Sequence, residues 1–295
     1  MVDHGALDLL DTEDLVDAIV TAQAHVVAVV RAAGPAIAAA AELLVTAYER
    51  GGRILLLGAG TSGRLAVMEA AEVPGTFGVP AERIVARVAG GSAEQLIGTD
   101  GAEDDTALAQ RDMTDLSASE PDVLVAVAAS GTTPYTLTAA EIARARGAPV
   151  VAVTNRPESP LAGAADVAVT LPVGVEVLSG STRLAAGTAQ KIALNALTTA
   201  AMVRLGRVHD RYMVDVVAAN EKLVQRLTTI VAACTDASQA TAEEALQRCD
   251  GNGRAAIVHL ATGLPPDAAA RHAAAHRTVR AAVEAGLTAA GARRR

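Results

Sequence analysis

Three loops rich in Gly, Ser and Thr carry the residue types best suited to holding an anion. They are Gly58-Ala59-Gly60-Thr61-Ser62-Gly63-Arg64, Ala128-Ala129-Ser130-Gly131-Thr132-Thr133-Pro134-Tyr135 and Ser179-Gly180-Ser181-Thr182-Arg183-Leu184. Glycine lets a backbone come close to an anion, and a helix that follows such a loop turns its unpaired N–H groups toward it. The candidate binding residues are therefore Gly60, Thr61 and Ser62, then Ser130, Thr132 and Thr133, then Ser181, Thr182 and Arg183. Each loop alone also reads as a tight turn or a capped helix. The first lacks the Gly-Lys-Ser/Thr of a nucleotide P-loop and only loosely matches a dinucleotide Gly-x-Gly-x-x-Gly. Taken together, three hydroxyl-rich loops suit a ligand that is both phosphorylated and hydroxylated, such as a sugar phosphate.

Two carboxylates lie near these loops in sequence. Glu72 follows the first loop in Ala70-Ala71-Glu72-Val73-Pro74, and Glu103 lies in Gly101-Ala102-Glu103-Asp104 after the second strand and a short helix. By spacing alone each reads as a solvated surface acid. The lysines add a clue: Lys191 and Lys222 are the only two in a chain with 25 Lys plus Arg. Sites that keep Lys in an Arg-using chain are candidates for a compact ammonium group. The six histidines are scattered. Only His272 and His276 have helical spacing, without a carboxylate or cysteine partner, so no metal site is expected.

The elements that position these residues follow from the apolar pattern. Short β-rich runs at Arg53–Leu57, Arg83–Val88, Val123–Val127, Val150–Thr154 and Val167–Leu171 are nearly continuous in apolar character. That pattern marks strands covered on both faces, hence a parallel sheet. Helical segments such as Tyr135–Arg146 lie between most of them. The expected fold is a three-layer, doubly wound, five-stranded parallel α/β sheet, flavodoxin-like. The expected organisation is N-terminal helices over 1–50, the α/β domain with its flanking helices over 51–235, and a small helical module over 236–295. Within these, two helices are expected before Gly51, the first capped by Asp11. One helix is expected over Met213–Cys234, and three over Thr241–Arg248, Gly253–Ala261 and Pro266–Gly286.

Composition narrows the function classes. The chain has 295 residues, is 51% hydrophobic and only 1% aromatic, so its core is built from Ala, Val, Leu and Ile. Such side chains bury little area each, which favours subunit pairing. The net charge of −8, with no basic stripe, argues against nucleic acid or an anionic membrane as partner. Two cysteines, Cys234 and Cys249, and no basic-then-apolar leader point to a cytoplasmic protein. No apolar run reads as a membrane span.

The ordered series of short motifs resembles the N-acetylmuramic acid 6-phosphate etherases, a family built on the SIS fold. The matching stretches are Leu57–Leu65, Glu72 with Thr76–Pro80, Ala89–Gly91, Gly101–Asp104, Ala128–Gly131 and Thr133–Tyr135. They continue through Ser179–Leu184, Ala186–Lys191, Met213–Val216 and Asn220–Leu223. The resemblance implies a homodimer with sites near the subunit interface and no metal or organic cofactor. It implies that Glu103 removes the C2 proton of the open-chain sugar, and that Glu72 protonates the departing lactate and later activates water. Such chemistry calls for two carboxyl groups in opposite protonation states. Lys222 belongs to the implied binding set. There are departures: Val73 stands where the family often has Cys, Thr132 where it has Arg, Ala185 where it has Lys, and Asp100 where it has Glu. Two other readings share the fold: a sugar-phosphate-sensing regulatory protein without turnover, and a sugar-phosphate isomerase.

Overall fold

The computed structural model describes residues 6–91 and 101–293. The chain divides into two compact units, Met1–Ala71 with Ala81–Ala200, and Glu72–Pro80 with Ala201–Arg295. The short helix expected just before Glu103 falls on 92–100, outside the described residues.

The first unit opens with α1 (Thr12–Thr21), α2 (Val26–Ala32) and α3 (Gly34–Glu49). Asp11 caps α1, its carboxylate accepting the Asp14 N–H at 2.9 Å. Three helices stand where two were expected. The extra break at Ala22–His25 has no Gly or Pro to announce it; His25 Nε2 lies 2.8 Å from the Val173 carbonyl. By length and composition alone the stretch Thr12–Ala32 would suffice to cross a membrane, contrary to expectation. The break splits it into two short helices.

Five parallel strands follow: β1 (Ile54–Gly58), β2 (Ile84–Val88), β3 (Val123–Ala128), β4 (Val150–Thr154) and β5 (Val167–Thr170), in the order β2-β1-β3-β4-β5. Every residue of β1, β3 and β4 is buried, as strands covered on both faces must be. Leu55 and Leu57, with Leu124 and Ala126, pack on one face against Met113, Tyr135 and Ala139. The last three belong to α5 (Thr106–Asp115) and α6 (Pro134–Ala145). On the edge of β1, Arg53 anchors Asp122 through its N–H (2.8 Å), Nε (3.1 Å) and Nη2 (2.8 Å). Burial opposes the charge on Asp122, but hydrogen bonds from Arg53 and the Ser119 N–H outweigh it and hold the carboxyl below its ordinary range.

The connecting helices are α4 (Gly60–Phe77), α7 (Pro160–Ala164) and α8 (Ala185–Arg204). The second unit holds the last turns of α4, then α9 (Glu221–Thr235), α10 (Gln239–Arg248), α11 (Gly253–Thr262), α12 (Pro266–Ala275) and α13 (Val279–Arg293). Two expectations fail here. The expected Met213–Cys234 helix begins only at Glu221, because Asn220 accepts the Leu223 N–H at 3.0 Å and sets the start. The preceding segment is pinned by Asp215, which lies 3.3 Å from Arg254 Nη1 and 3.4 Å from Arg207 Nη1. The expected Pro266–Gly286 helix is two helices, since His276 adopts an extended backbone. Arg254 Nη2 donates to the carbonyls of His276 and Arg277 at 2.9 Å each, which stabilises that break.

Candidate functional site

In an open sheet of order 2-1-3-4-5, ligands bind beyond the carboxyl ends of the strands flanking the point where the order reverses. That point lies between β1 and β3. Gly58 pairs with Val127, so the two loops leave the sheet side by side. The first turn of α4 packs directly on β1. A Cβ on Gly63 would lie 2.5 Å from the Gly58 carbonyl oxygen and 2.7 Å from Val88 Cγ2, so only glycine fits. Gly131 has φ +65°, and a Cβ there would strike Ser159 Oγ. The N–H groups at the start of α4 thus face outward from the end of β1, where a helix offers unpaired donors.

A cavity of about 540 Å³ opens at this point. Gly60, Thr61, Ser62, Ser130, Thr132, Thr133, Thr182 and Glu103 line it, together with Asp104. Eight of the expected site residues therefore share one cavity. Thr132 donates to Ser130 Oγ from its N–H (3.1 Å) and hydroxyl (3.0 Å), so hydroxyls of the second loop already converge. Glu103 stands on a short 3-10 turn, Ala102–Asp104, entered through Gly101 at φ +76°. Asp105 ends that turn and caps α5, accepting the Leu108 N–H at 2.8 Å. Among the described residues, no Lys or Arg lines it. Backbone N–H groups and hydroxyls are the donors this cavity offers to an anion.

Four expected residues are not in the lining. Ser181 and Arg183 belong to the loop that supplies Thr182, and Arg183 is exposed. Lys222 is exposed in the first turn of α9, within the second unit. Glu72 is exposed on α4, ten residues after Ser62. At 1.5 Å per residue that is about 15 Å along the helix axis. The other lysine, Lys191, has Nζ 3.1 Å from Glu69 Oε2. Glu69 is 3% exposed and also accepts from the Thr198 hydroxyl. Here the ammonium compensates a buried carboxylate, as buried charge requires.

The structure also assigns positions to side chains that the spacing did not single out. Glu176 accepts the N–H groups of Ala185 and Ala186 at 2.9 Å each, closing the third loop on the N-terminus of α8. An acid shortly before a Gly/Ser/Thr loop and a helix was the available signal. Gln190, fully buried on α8, accepts from Ser62 Oγ at 2.8 Å and donates to Asn155 Oδ1 at 2.9 Å. Nothing in local spacing marks that pairing.

A second cavity, of about 600 Å³, lies within the second unit and is lined by Arg207, Asp215, Arg254 and His276 among others. Its charges are spent on one another and on carbonyls of the same unit. Burial pushes Asp215 up despite the two guanidiniums. It lacks the convergence of hydroxyls seen in the first cavity.

The chain is similar to known proteins. Residues 19–155 match a family model described as a SIS domain. The N-acetylmuramic acid 6-phosphate etherase of Deinococcus radiodurans is 47% identical over 269 residues, covering 91% of this chain and 88% of its own. That of Yersinia pestis is 45% identical over 263 residues, covering 89% of each. Among solved structures, a phosphoheptose isomerase from Francisella tularensis superposes with a TM-score of 0.51 at 19% identity, over 66% of this chain and 100% of its own. That likeness speaks to the fold alone: an α/β five-stranded parallel sheet of SIS type, extended here by C-terminal helices. With near-half identity over nine-tenths of its length, the chain belongs to the N-acetylmuramic acid 6-phosphate etherase family.

Proposed function

We propose that this protein cleaves the lactyl ether of N-acetylmuramic acid 6-phosphate, giving N-acetylglucosamine 6-phosphate and D-lactate, in the recycling of cell-wall amino sugars. The observation that carries this reading is Glu103, beside Asp104, on the wall of a cavity rich in hydroxyls and helix N–H groups. In this scheme the side chains move protons while the C3–O bond breaks and water adds. The 6-phosphate sits against the first turn of α4 and the hydroxyls of Thr61, Ser130, Thr132, Thr133 and Thr182. In the open-chain sugar the C1 aldehyde acidifies the C2 proton. The Glu103 carboxylate takes that proton, the C2–H pair forms the C2=C3 bond, and the C3–O bond breaks. The departing lactate oxygen takes a proton from the Glu72 carboxyl. Water then adds at C3 as the Glu72 carboxylate accepts its proton, and Glu103 returns a proton to C2. Positioned acids and bases of this kind contribute about 10²–10⁴-fold each.

Glu72 enters this scheme from a second copy of the chain. Glu72 is not among the residues that line the cavity of its own chain. A homodimer that offers α4 of one protomer to the cavity of the other brings the second carboxyl in. The free thiols of Cys234 and Cys249 support a cytoplasmic, reducing setting, and burial pushes the Cys234 thiol up to about 11. The test is incubation with N-acetylmuramic acid 6-phosphate and enzymatic detection of D-lactate. Wild type should release lactate, and Glu103→Gln should lose about 10²–10⁴ in rate. A folded Glu103→Gln variant with full activity removes Glu103 from the mechanism; no release by the wild type favours a sensing protein instead.

A further inference from the structure

A chain of buried amides determines which way one hydroxyl of the cavity points. Asn155 Nδ2 donates to the Leu171 carbonyl at 2.9 Å. A carbonyl oxygen carries no proton, so this contact fixes the orientation of the Asn155 amide and leaves Oδ1 as an acceptor. Gln190 Nε2 donates to that Oδ1 at 2.9 Å. Gln190 Oε1 must then accept, and Ser62 Oγ, at 2.8 Å, is the group that donates to it. Gln190 is fully buried and Ser62 is 7% exposed, so water is a poor substitute for either partner. Ser62 has one hydroxyl proton, and it is spent on Gln190.

We propose that Gln190 is a positioning residue that commits the Ser62 proton away from the cavity, so that Ser62 meets a bound sugar phosphate as an acceptor for a ligand hydroxyl and through its backbone N–H, not as a hydroxyl donor to phosphate. The inference rests on the cavity being a sugar-phosphate site. It divides the lining into two kinds. Thr61, Ser130, Thr133 and Thr182 have hydroxyl protons to give to phosphate oxygens, whereas the exposed Thr132 hydroxyl donates to Ser130 Oγ at 3.0 Å and can be freed by solvent. Ser62 offers lone pairs, which repel phosphate and suit a sugar O–H. For Ser62 to turn its proton to a phosphate, the buried Gln190 oxygen would be left without a donor.

The experiment is titration calorimetry of the full-length protein with inorganic phosphate, together with thermal denaturation. Ser62→Ala should change the phosphate Kd by less than about threefold, whereas Ser130→Ala should weaken it by about tenfold or more. In the Gln190→Met background the Ser62 proton is released. There, adding Ser62→Ala should weaken phosphate by about threefold or more, a dependence that a merely structural role for Gln190 would not produce. Ser62→Ala and Gln190→Met should each lower Tm, and the double variant should melt no lower than Gln190→Met alone, since the Ser62–Gln190 bond lost in Ser62→Ala is already absent there. Weakening by Ser62→Ala as large as that by Ser130→Ala, or Tm losses that add, overturns the proposal. If Gln190→Met fails to fold, the comparison of Ser62→Ala with Ser130→Ala decides alone. Lactate release by the wild type reads the etherase assignment separately. Its failure with these phosphate results intact sinks that assignment only, and absence of phosphate binding by a wild type that releases lactate overturns the inference only.

Discussion

Replacing Gly63 by Ala should damage activity and stability together, and the size follows from the packing of α4 on β1. The added Cβ would sit 2.5 Å from the Gly58 carbonyl oxygen, where ordinary contacts begin at 3.4 Å. The Val88 methyl, at 2.7 Å, can rotate, but the Gly58 carbonyl cannot, because it accepts the Ala89 N–H at 3.0 Å. The helix start must therefore move by about 0.9 Å. Overpacking of this kind costs about 1–3 kcal/mol. For a chain of this size that lowers Tm by roughly 2–4 °C per kcal/mol. The same shift moves the N–H groups that face the cavity, and a misplacement of about 1 Å costs on the order of 10²-fold in rate. Lactate release and a thermal melt read both effects. Gly75→Ala is the matched control: it lies on the same helix with nothing within 4 Å of an added Cβ. A Gly63→Ala enzyme that melts and turns over like the control would refute the argument that this close approach sets the site.

Three further outcomes are expected. Glu72→Gln and Glu103→Gln should each be nearly inactive, yet unfolding and refolding them together should recover about a quarter of wild-type activity, since half the dimers are mixed and each has one intact site; no recovery would place both carboxyls in one protomer. Glu176→Ala should destabilise by about 1–2 kcal/mol through loss of the α8 cap, and raise KM because Thr182 sits on the loop it closes; an unchanged melt would count against the cap. Asp122→Ala should cost on the order of 1.5–3 kcal/mol near pH 7 by removing the buried carboxylate that accepts from Arg53, which keeps its bond to the Leu116 carbonyl and is part-exposed. Because the Asp122 carboxyl is held below its ordinary value, its contribution is complete above about pH 4 and fades as pH falls through the folded value. Urea midpoints of the two proteins should therefore converge only in strong acid, and a gap that closes between pH 7 and 5 would contradict this.

What the sequence discloses about this molecule is what depends on neighbours along the chain. The five strands are apolar runs ended by Gly, Ser or Thr, and each was legible within a residue or two of its observed bounds. The loops after β1 and β3 were legible for the same reason. The break at Ala22–His25, the non-helical Met213–Asn220 segment and the turn at His276 were not. Each is held by a distant partner: the Val173 carbonyl, the guanidiniums of Arg207 and Arg254, and Arg254 again. Gln190 is the sharpest case, since its meaning depends on Ser62, 128 residues away. Glu72 and Lys222 show the opposite limit. Their motifs were plain in the sequence, yet neither residue is among those that line the cavity.

A cavity with no basic side chain among the described residues that line it should keep its grip on an anion as ionic strength rises. Mobile ions weaken attraction between full charges over about 10 Å at 0.1 M, but hardly touch hydrogen bonds at contact distance. In a protein of net charge −8, an approaching dianion is repelled at long range and held only at short range. Added salt removes the repulsion and leaves the grip, so capture of substrate should quicken, not slow, as the medium becomes more saline.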